Sequence, residues 1–358
     1  MQTNTAPCTP ALTPAPAATT AFRRIRSPQQ LKQDLALSEL DQHRIAVHRR
    51  QVRAVLQGQD ERLLMVVGPC SIHDVTAAHE YASRLQQLSD KVSDRLLLVM
   101  RAYFEKPRTT VGWKGLAVDP ALDGSHDMDR GLELARQLLI DVSRLGLPLA
   151  TEALSPLIAE YLQDCISWTA IGARTTESQT HRELASGLEA VVGFKNATDG
   201  GLQVAIDAIK SAAHSHEYLS VDPEGQVAIR QTPGNPHCHL VLRGAKGAPN
   251  YQPVSVRRCR EALAAAGLEP RIMVDCSHDN SDKDYRRQPE VLQAVVEQIR
   301  AGDHSLFGVM LESHLKDGQQ KLVGPVTRLD PGQSVTDGCI GWETTERLIL
   351  DTYRQLGG

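Results

Sequence analysis

Short apolar runs alternate with longer amphipathic stretches along most of the chain. The runs cover residues 63–67, 96–100, 147–150, 169–171, 190–192, 239–242, 272–274 and 306–311. Each is followed by a polar or Gly-rich loop and then by a segment with helical spacing of its apolar residues. A brief apolar run bounded by turn residues predicts a buried strand, and its alternation with helical segments predicts parallel strands joined by crossover helices. Eight such units predict an α/β fold in the form of a closed (β/α)8 barrel, the TIM-barrel architecture, rather than an open doubly wound sheet. Ahead of them, Leu31, Leu35 and Leu37, then Ile45, Val52 and Leu56, predict two helices within 28–58. The expected organisation is a disordered tail (1–27), an N-terminal helical extension (28–58) and a barrel (59–358). Within the barrel, 210–238 is an insertion in which apolar runs 218–221 and 227–229 flank Asp222-Pro223-Glu224-Gly225, the pattern of a β-hairpin.

The residues just past the runs are Cys70, Arg101, Glu152, Arg174, Lys195, Arg243, His278 and Glu312. A barrel gathers all its carboxyl strand ends around one mouth, where barrel active sites lie. Charged residues are common at strand ends. That alone does not account for Cys, His and Glu alternating with four cations. Lys106 and Arg108 add to the set from the long connection 102–130. Arg grips phosphate or carboxylate in two places while Lys acts as a point charge, so the mixture suits a ligand bearing both groups, or two phosphorylated ligands. Pro107 makes Lys106 extended, separating its side chain from its neighbours. The segment from Gly193 through Lys195 to Gly200-Gly201 is a weaker anion-binding signal.

Composition narrows the class. The chain has 358 residues, 41% hydrophobic and 23% charged, and a formal net charge of −4. This is the balance of a globular protein with no general attraction to nucleic acid or anionic lipid, so cationic sites must be local. No run reaches the roughly 18 apolar residues of a membrane span. The seven cysteines contain no Cys-x-x-Cys pair and are odd in number, which argues against a disulfide framework and for a reducing, cytoplasmic setting. Residues 1–22 carry no acid and lead into Arg23, Arg24 and Arg26, but their prolines oppose an amphipathic transit helix.

Cys70, His278, Glu312 and Asp337 together offer a thiolate, an imidazole and two carboxylates, a set suited to Mn2+, Fe2+, Co2+ or Zn2+ and poorly suited to Mg2+. Their spacing does not prove the set, since a lone buried Cys is usually a packing residue. His73, His314 and Cys276 are alternative ligands.

Several longer motifs carry a resemblance. Gly68-Pro-Cys-Ser-Ile-His-Asp74, Glu105-Lys-Pro-Arg-Thr-Thr-Val-Gly-Trp-Lys-Gly115, Gly172-Ala-Arg-Thr-Thr-Glu-Ser-Gln179 and Gly193-Phe-Lys-Asn196 occur in that order, followed by Ser277-His278, Glu312-Ser313 and Asp337. From about residue 28 to 353 the chain resembles the microbial type I 3-deoxy-D-arabino-heptulosonate 7-phosphate (DAHP) synthases of the aromatic-amino-acid-regulated subgroup. The resemblance implies condensation of phosphoenolpyruvate with D-erythrose 4-phosphate, the entry to the shikimate pathway, with a divalent metal. It implies that Cys70, His278, Glu312 and Asp337 are the metal ligands. Arg101, Lys106 and Lys195 would face the phosphoenolpyruvate carboxylate, Arg174 and Arg243 its phosphate, and Arg108 and Thr109 the erythrose 4-phosphate. Glu152 would anchor a water or a neighbouring group near the phosphate. Cys70, Lys106 and His278 are the expected catalytic residues. Lys106 is the candidate proton donor, on the expectation that neighbouring cations lower its pKa, with a metal-held water or His278 as rivals.

The resemblance also implies feedback inhibition by Phe, Tyr or Trp, with Glu189 near the effector pocket, and a homodimer or homotetramer. The chain departs from the family pattern at Ala197 and Ala245, where Gly is usual, and at Asp279 and Gly338, where Ala is usual. None of these changes removes a ligand or a cation. The related octulosonate 8-phosphate synthases lack the Lys106-Pro107-Arg108-Thr109-Thr110 pattern and the hairpin. A catalytically dead barrel would have lost a ligand or cation, and a structural zinc protein would have closely paired ligands.

Overall fold

The computed structural model describes residues 21–108, 110–322 and 328–357. Thr109 and most of the tail lie outside the described residues, as do 323–327 of the last barrel loop. Eight parallel strands form the barrel: β1 (Leu63–Gly68), β2 (Leu96–Arg101), β3 (Leu149–Glu152), β4 (Trp168–Ile171), β5 (Val191–Lys195), β8 (Cys238–Leu242), β9 (Ile272–Asp275) and β10 (Leu306–Glu312). Neighbours pair in the closed order β1-β10-β9-β8-β5-β4-β3-β2. The remaining strands, β6 (Glu217–Val221) and β7 (Val227–Gln231), form a separate antiparallel hairpin inserted between β5 and β8.

Strand alternation divides the apolar residues into two cores. Leu64, Val66, Leu97, Val99, Trp168, Val241 and Met273 fill the barrel interior, while Met65, Val67, Leu98 and Met100 face the helices outside. The interior is tightest around Gly193. A Cβ there would lie 2.5 Å from the Trp168 ring and 2.7 Å from Val241 Cγ2, so this β5 position has room only for glycine. The same glycine hides the end of the strand from sequence patterning: β5 runs on to Lys195, past the apolar run at 190–192. β3 also begins later than the run at 147–150, because Pro148 has no N–H for the ladder and contributes only its carbonyl, to Met100 N at 2.8 Å, and it pairs on through Thr151 and Glu152 with β4.

Two helices precede the barrel, α1 (Pro28–Asp34) and α2 (Glu39–Leu56), each started by a serine capping box, at Ser27 with Gln30 and at Ser38 with Asp41. α2 closes the amino-terminal end of the barrel. Val52, Val55 and Leu56 join the interior core, and Arg271 donates to the carbonyls of Leu56 and Val55 at the end of α2. The opposite end is therefore the open mouth. Helices α3 (Val75–Val92), α4 (Met128–Arg144), α5 (Pro156–Leu162), α6 (Gln179–Ser186), α7 (Gln203–Ala212), α8 (Pro253–Ala265), α9 (Gln288–Arg300) and α10 (Trp342–Gln355) complete the chain. Among the described residues, no helix is long and apolar enough to cross a membrane.

Candidate active site

The mouth is a wide cleft whose empty volume, open side included, is about 1650 Å³. Lys106, Arg108, Glu152, Arg174, Lys195, Arg243, His278, Glu312 and Asp337 all line it. They arrive from separate strand ends, as the closed sheet requires. The Lys106 loop is held by its backbone: Lys106 N donates to Lys114 O at 2.9 Å and Ala117 N to Phe104 O at 3.1 Å. Gly115 makes this fold-back possible, since its φ is +109° and a Cβ would stand 2.1 Å from the Phe104 carbonyl oxygen. Arg108 Nε donates to Trp113 O at 2.7 Å within the same loop. At β1, Asp74 of the Gly-Pro-Cys motif caps α3 by accepting from Ala77 N at 3.1 Å, which fixes the turn that carries Cys70.

One end of the cleft gathers metal-binding chemistry. Ligand atoms of Cys70, Glu312 and Asp337 lie within 4.8 Å of one another. The Cys70 thiol donates to Asp337 Oδ2 at 3.3 Å, and Lys106 Nζ stands 3.0 Å from Cys70 Sγ and 3.7 Å from Asp337 Oδ2. His278 is outside this close trio, although it lines the same cleft. Its Nδ1 is taken by Ser277 Oγ at 2.7 Å and Asp275 Oδ2 at 2.9 Å, leaving Nε2 as the ring atom for a ligand. The rivals His73, His314 and Cys276 are not part of any such group among the described residues. His314 instead uses Nδ1 to accept from Leu315 N at 2.8 Å. A sulfur and two carboxylates, with an imidazole at their edge, fit a transition-series divalent ion better than the all-oxygen shell of Mg2+.

Charge reinforces this geometry. Burial pushes the Cys70 thiol up to about 12, and Glu312 adds to the shift, while Lys106 opposes it. Burial also acts on Asp337, but Lys106, His278 and the Cys70 hydrogen bond outweigh it and hold its carboxyl at about 2. This carboxylate is 65% accessible, because it opens into the cleft. For Lys106 the expectation was reversed. Burial disfavours its charge, but Cys70, Asp337 and Glu312 more than compensate, and its pKa lies above the ordinary lysine value. The nearest neighbours of Lys106 are anions or potential anions, while Arg101 works against them.

The cations divide into two settings. Arg101 lies beneath the cleft lining, 1% exposed, with its guanidinium on Glu312 Oε1 at 2.9 Å and on Pro69 O at 3.0 Å. It stacks 3.5 Å from the Tyr103 ring centroid, so in this structure it orders a candidate metal ligand. Lys195 bonds Asp275 Oδ2 at 2.8 Å, and Arg243 is paired with Asp279. Glu152 separates the cleft from a smaller apolar cavity under α5, which it lines together with Glu105.

Residues 37–349 match the DAHP synthetase I family. The chain belongs to that family. It is 54% identical to the Tyr-sensitive phospho-2-dehydro-3-deoxyheptonate aldolase of Salmonella typhimurium, over 93% of this chain and 94% of the relative. It is 52% identical to the Trp-sensitive phospho-2-dehydro-3-deoxyheptonate aldolase of Escherichia coli K12, over 84% of this chain and 86% of that one. The solved structure of phospho-2-dehydro-3-deoxyheptonate aldolase from Francisella tularensis superposes with a TM-score of 0.92 at 44% identity, covering 95% of this chain and 99% of the other. The barrel expected from the strand count is therefore the barrel of this DAHP synthetase I chain.

Sequence reading overlooked two carboxylates beside the site. Asp275 is the last residue of β9 and is fully buried. An acid ending a buried apolar strand was the available signal, because such a charge must have a partner. Glu105 was hidden by the more conspicuous Lys106 and Arg108 beside it.

Proposed function

We propose that the cleft condenses phosphoenolpyruvate with D-erythrose 4-phosphate and water, giving DAHP and inorganic phosphate, the first step of the shikimate pathway. One observation carries the reading: the Cys70, Glu312 and Asp337 trio, with Lys106 Nζ 3.0 Å from Cys70 Sγ, shares one cleft with Arg108, Arg174, Lys195 and Arg243 in a DAHP synthetase I chain.

Cys70, Glu312, Asp337 and the free Nε2 of His278 would hold the ion, which is Mn2+, Fe2+, Co2+ or Zn2+. When bound, the ion supplies Lewis acidity to the aldehyde of erythrose 4-phosphate. Arg174 and Arg243 would take the phosphoenolpyruvate phosphate, and Lys195 its carboxylate, with Arg101 acting there through its hold on Glu312. Arg108 and Thr109 would hold the phosphate of the second substrate. With both substrates fixed, C3 of phosphoenolpyruvate bonds to the aldehyde carbon, water adds at C2 and loses a proton that balances the one gained by the new alkoxide, and the C2–O bond to phosphate breaks. Lys106 is suited to sustaining positive charge next to the developing alkoxide. Its anionic surroundings favour electrostatic stabilisation by this lysine over full loss of its proton.

The same reading extends to control. The face of the hairpin that carries Tyr218 and Arg230 turns toward α5, where Arg230 pairs with Glu160, and Glu189 nearby pairs with Arg49. Among the described residues, Tyr218 Oη is buried without a hydrogen-bond partner. Charges of both signs beside an aromatic ring suit an aromatic amino acid, the effector class named in the Tyr- and Trp-sensitive relatives. The other face of the hairpin exposes Leu219, Val227 and Ile229, which supports assembly as a homodimer or homotetramer. The proposed setting is the cytoplasm.

The test is phosphate release from phosphoenolpyruvate. Release should require erythrose 4-phosphate, stop with a chelator and return with Mn2+ but not Mg2+. Release that persists at full rate after chelation would remove the metal from the reading. A thermal-shift comparison of Phe, Tyr and Trp tests the effector, and no shift with any of them overturns it.

A further inference from the structure

Asp275 is fully buried, and its two oxygens have different partners. Oδ1 accepts from Ser277 N at 3.0 Å and Ser277 Oγ at 2.6 Å. Oδ2 meets both Lys195 Nζ at 2.8 Å and His278 Nδ1 at 2.9 Å, the latter shared with Ser277 Oγ at 2.7 Å, whose own hydroxyl is bonded to the same carboxylate. Lys195 comes from the end of β5 and His278 from the turn after β9, with β8 between these strands in the sheet. A single oxygen atom thus holds one residue assigned to the metal and one assigned to the anionic substrate.

We propose that Asp275 Oδ2 couples the two halves of the site, so that metal binding at His278 and phosphoenolpyruvate binding at Lys195 strengthen each other. The proposal rests on the assignment of those two residues under Proposed function. Two donors on one carboxylate oxygen share its charge. When an anionic substrate draws the Lys195 ammonium toward itself, Oδ2 gives more of that charge to the His278 N–H. A carboxylate on one ring nitrogen makes the other a more basic ligand, so Nε2 holds the metal more tightly. The Asp275 carboxylate and the Lys195 ammonium are shielded from water, which limits screening of this redistribution. Thermodynamic linkage makes the effect reciprocal: the metal must tighten the substrate by the same factor.

The backbones that carry Lys195 and Asp275 are also fixed against drift. Thr176 Oγ1 donates to the Lys195 carbonyl at 2.9 Å, and Asn280 Nδ2 donates to the Asp275 carbonyl at 2.9 Å and to Leu242 O at 3.1 Å. Asn280 ties β8 to β9, and the ladder between β5 and β8 carries the connection on to Lys195. A change in charge sharing remains local rather than dissipating in backbone movement.

The experiment is equilibrium Mn2+ binding to metal-stripped protein, read from the free Mn2+ resonance signal, with and without phosphoenolpyruvate. Erythrose 4-phosphate is omitted, so nothing turns over. In the wild-type chain phosphoenolpyruvate should lower the Mn2+ Kd about fivefold or more, a typical coupling between sites. Asp275→Asn should reduce that factor to below about twofold. A purely structural role for Asp275 would lower the melting temperature and leave the factor intact. Lys195→Met provides a second variant that keeps the carboxylate: with the competing donor gone, it should bind Mn2+ more tightly than the substrate-free wild type. Equal Kd values with and without phosphoenolpyruvate in the wild type, an undiminished factor in Asp275→Asn, or an unchanged Kd in Lys195→Met would each overturn the coupling. A wild-type chain that takes up neither Mn2+ nor phosphoenolpyruvate would instead overturn the assignment on which it rests.

Discussion

Arg243 reaches the cleft already paired with Asp279, a carboxylate from the turn after the adjacent strand. The pairing is built in. Gly244 packs against that turn so closely that a Cβ would lie 2.6 Å from Asn280 N, and Arg243 N donates to Asn196 Oδ1 at 2.8 Å. A substrate phosphate must share this guanidinium with an internal anion or displace it. Asp279→Ala should therefore lower the phosphoenolpyruvate KM, and the inhibition constant of inorganic phosphate, by about fivefold, corresponding to roughly 1 kcal/mol. Steady-state kinetics with phosphate as product inhibitor checks this. A KM that rises would mean that Asp279 orients Arg243 rather than competing for it.

Metal uptake should release a proton from Cys70. With the thiol pushed up to about 12, it is protonated at neutral pH, and a coordinating sulfur must be a thiolate. Mn2+ affinity should then rise about tenfold per pH unit between roughly pH 7 and 8.5, the slope of one released proton. Cys70→Ser should fold, bind the ion weakly and lose this slope. Titrations at several pH values decide, and a pH-independent Kd in the wild type would contradict protonated Cys70.

Glu105 adjoins Lys106 and is 7% exposed, with Oε2 accepting from Ser155 N at 3.3 Å at the start of α5. Burial, with Glu152 nearby, raises its pKa to about 8, against the pull of the Ser155 and Leu154 N–H groups. The sign follows from a folded value above the unfolded one. The stability it contributes is fully present below about pH 4.5 and is lost as pH rises to about 8. Glu105→Gln should remove that part of the pH dependence, gaining on the wild type by a few kcal/mol at most as pH increases. Denaturant midpoints at pH 5 and pH 8.5 provide the comparison. Parallel lines for the two proteins would count against a neutral Glu105.

Much of this was legible in the sequence, for identifiable reasons. Barrel strands bury both faces, so 63–67, 96–100 and 306–311 stand out as continuous apolar runs, and Asp222-Pro223-Glu224-Gly225 marks the hairpin turn. The cations Arg174, Lys195 and Arg243 were visible as charges just past strand ends, and Lys106 in the long connection after one. Their partners were not, because pairing depends on which strands are neighbours around the closed sheet. The reversed expectation for Lys106 has the same origin. Sequence placed it among cations, whereas the barrel sets it beside Cys70 and Asp337.

Lys106→Met should lower kcat by about two to three orders of magnitude, the usual range for removing one donor that stabilises developing negative charge. The loss should be accompanied by weaker binding of the metal, since the same ammonium supports the Cys70 and Asp337 charges. Stopped-flow or steady-state turnover at saturating metal separates the two effects. Near-normal kcat with impaired binding of both substrates would confine Lys106 to holding them.

The helix that closes the bottom of the barrel precedes every barrel strand in the chain. During synthesis the stopper is thus made before the vessel, and β1 emerges with the surface it will cover already available. A truncated chain beginning at Asp60 would lack Val52, Val55 and Leu56, leaving the interior layer around Leu64 and Phe307 facing water. The extension and the barrel are consequently one inheritable unit: recombination that swaps one without refitting the other leaves a tube open at both ends.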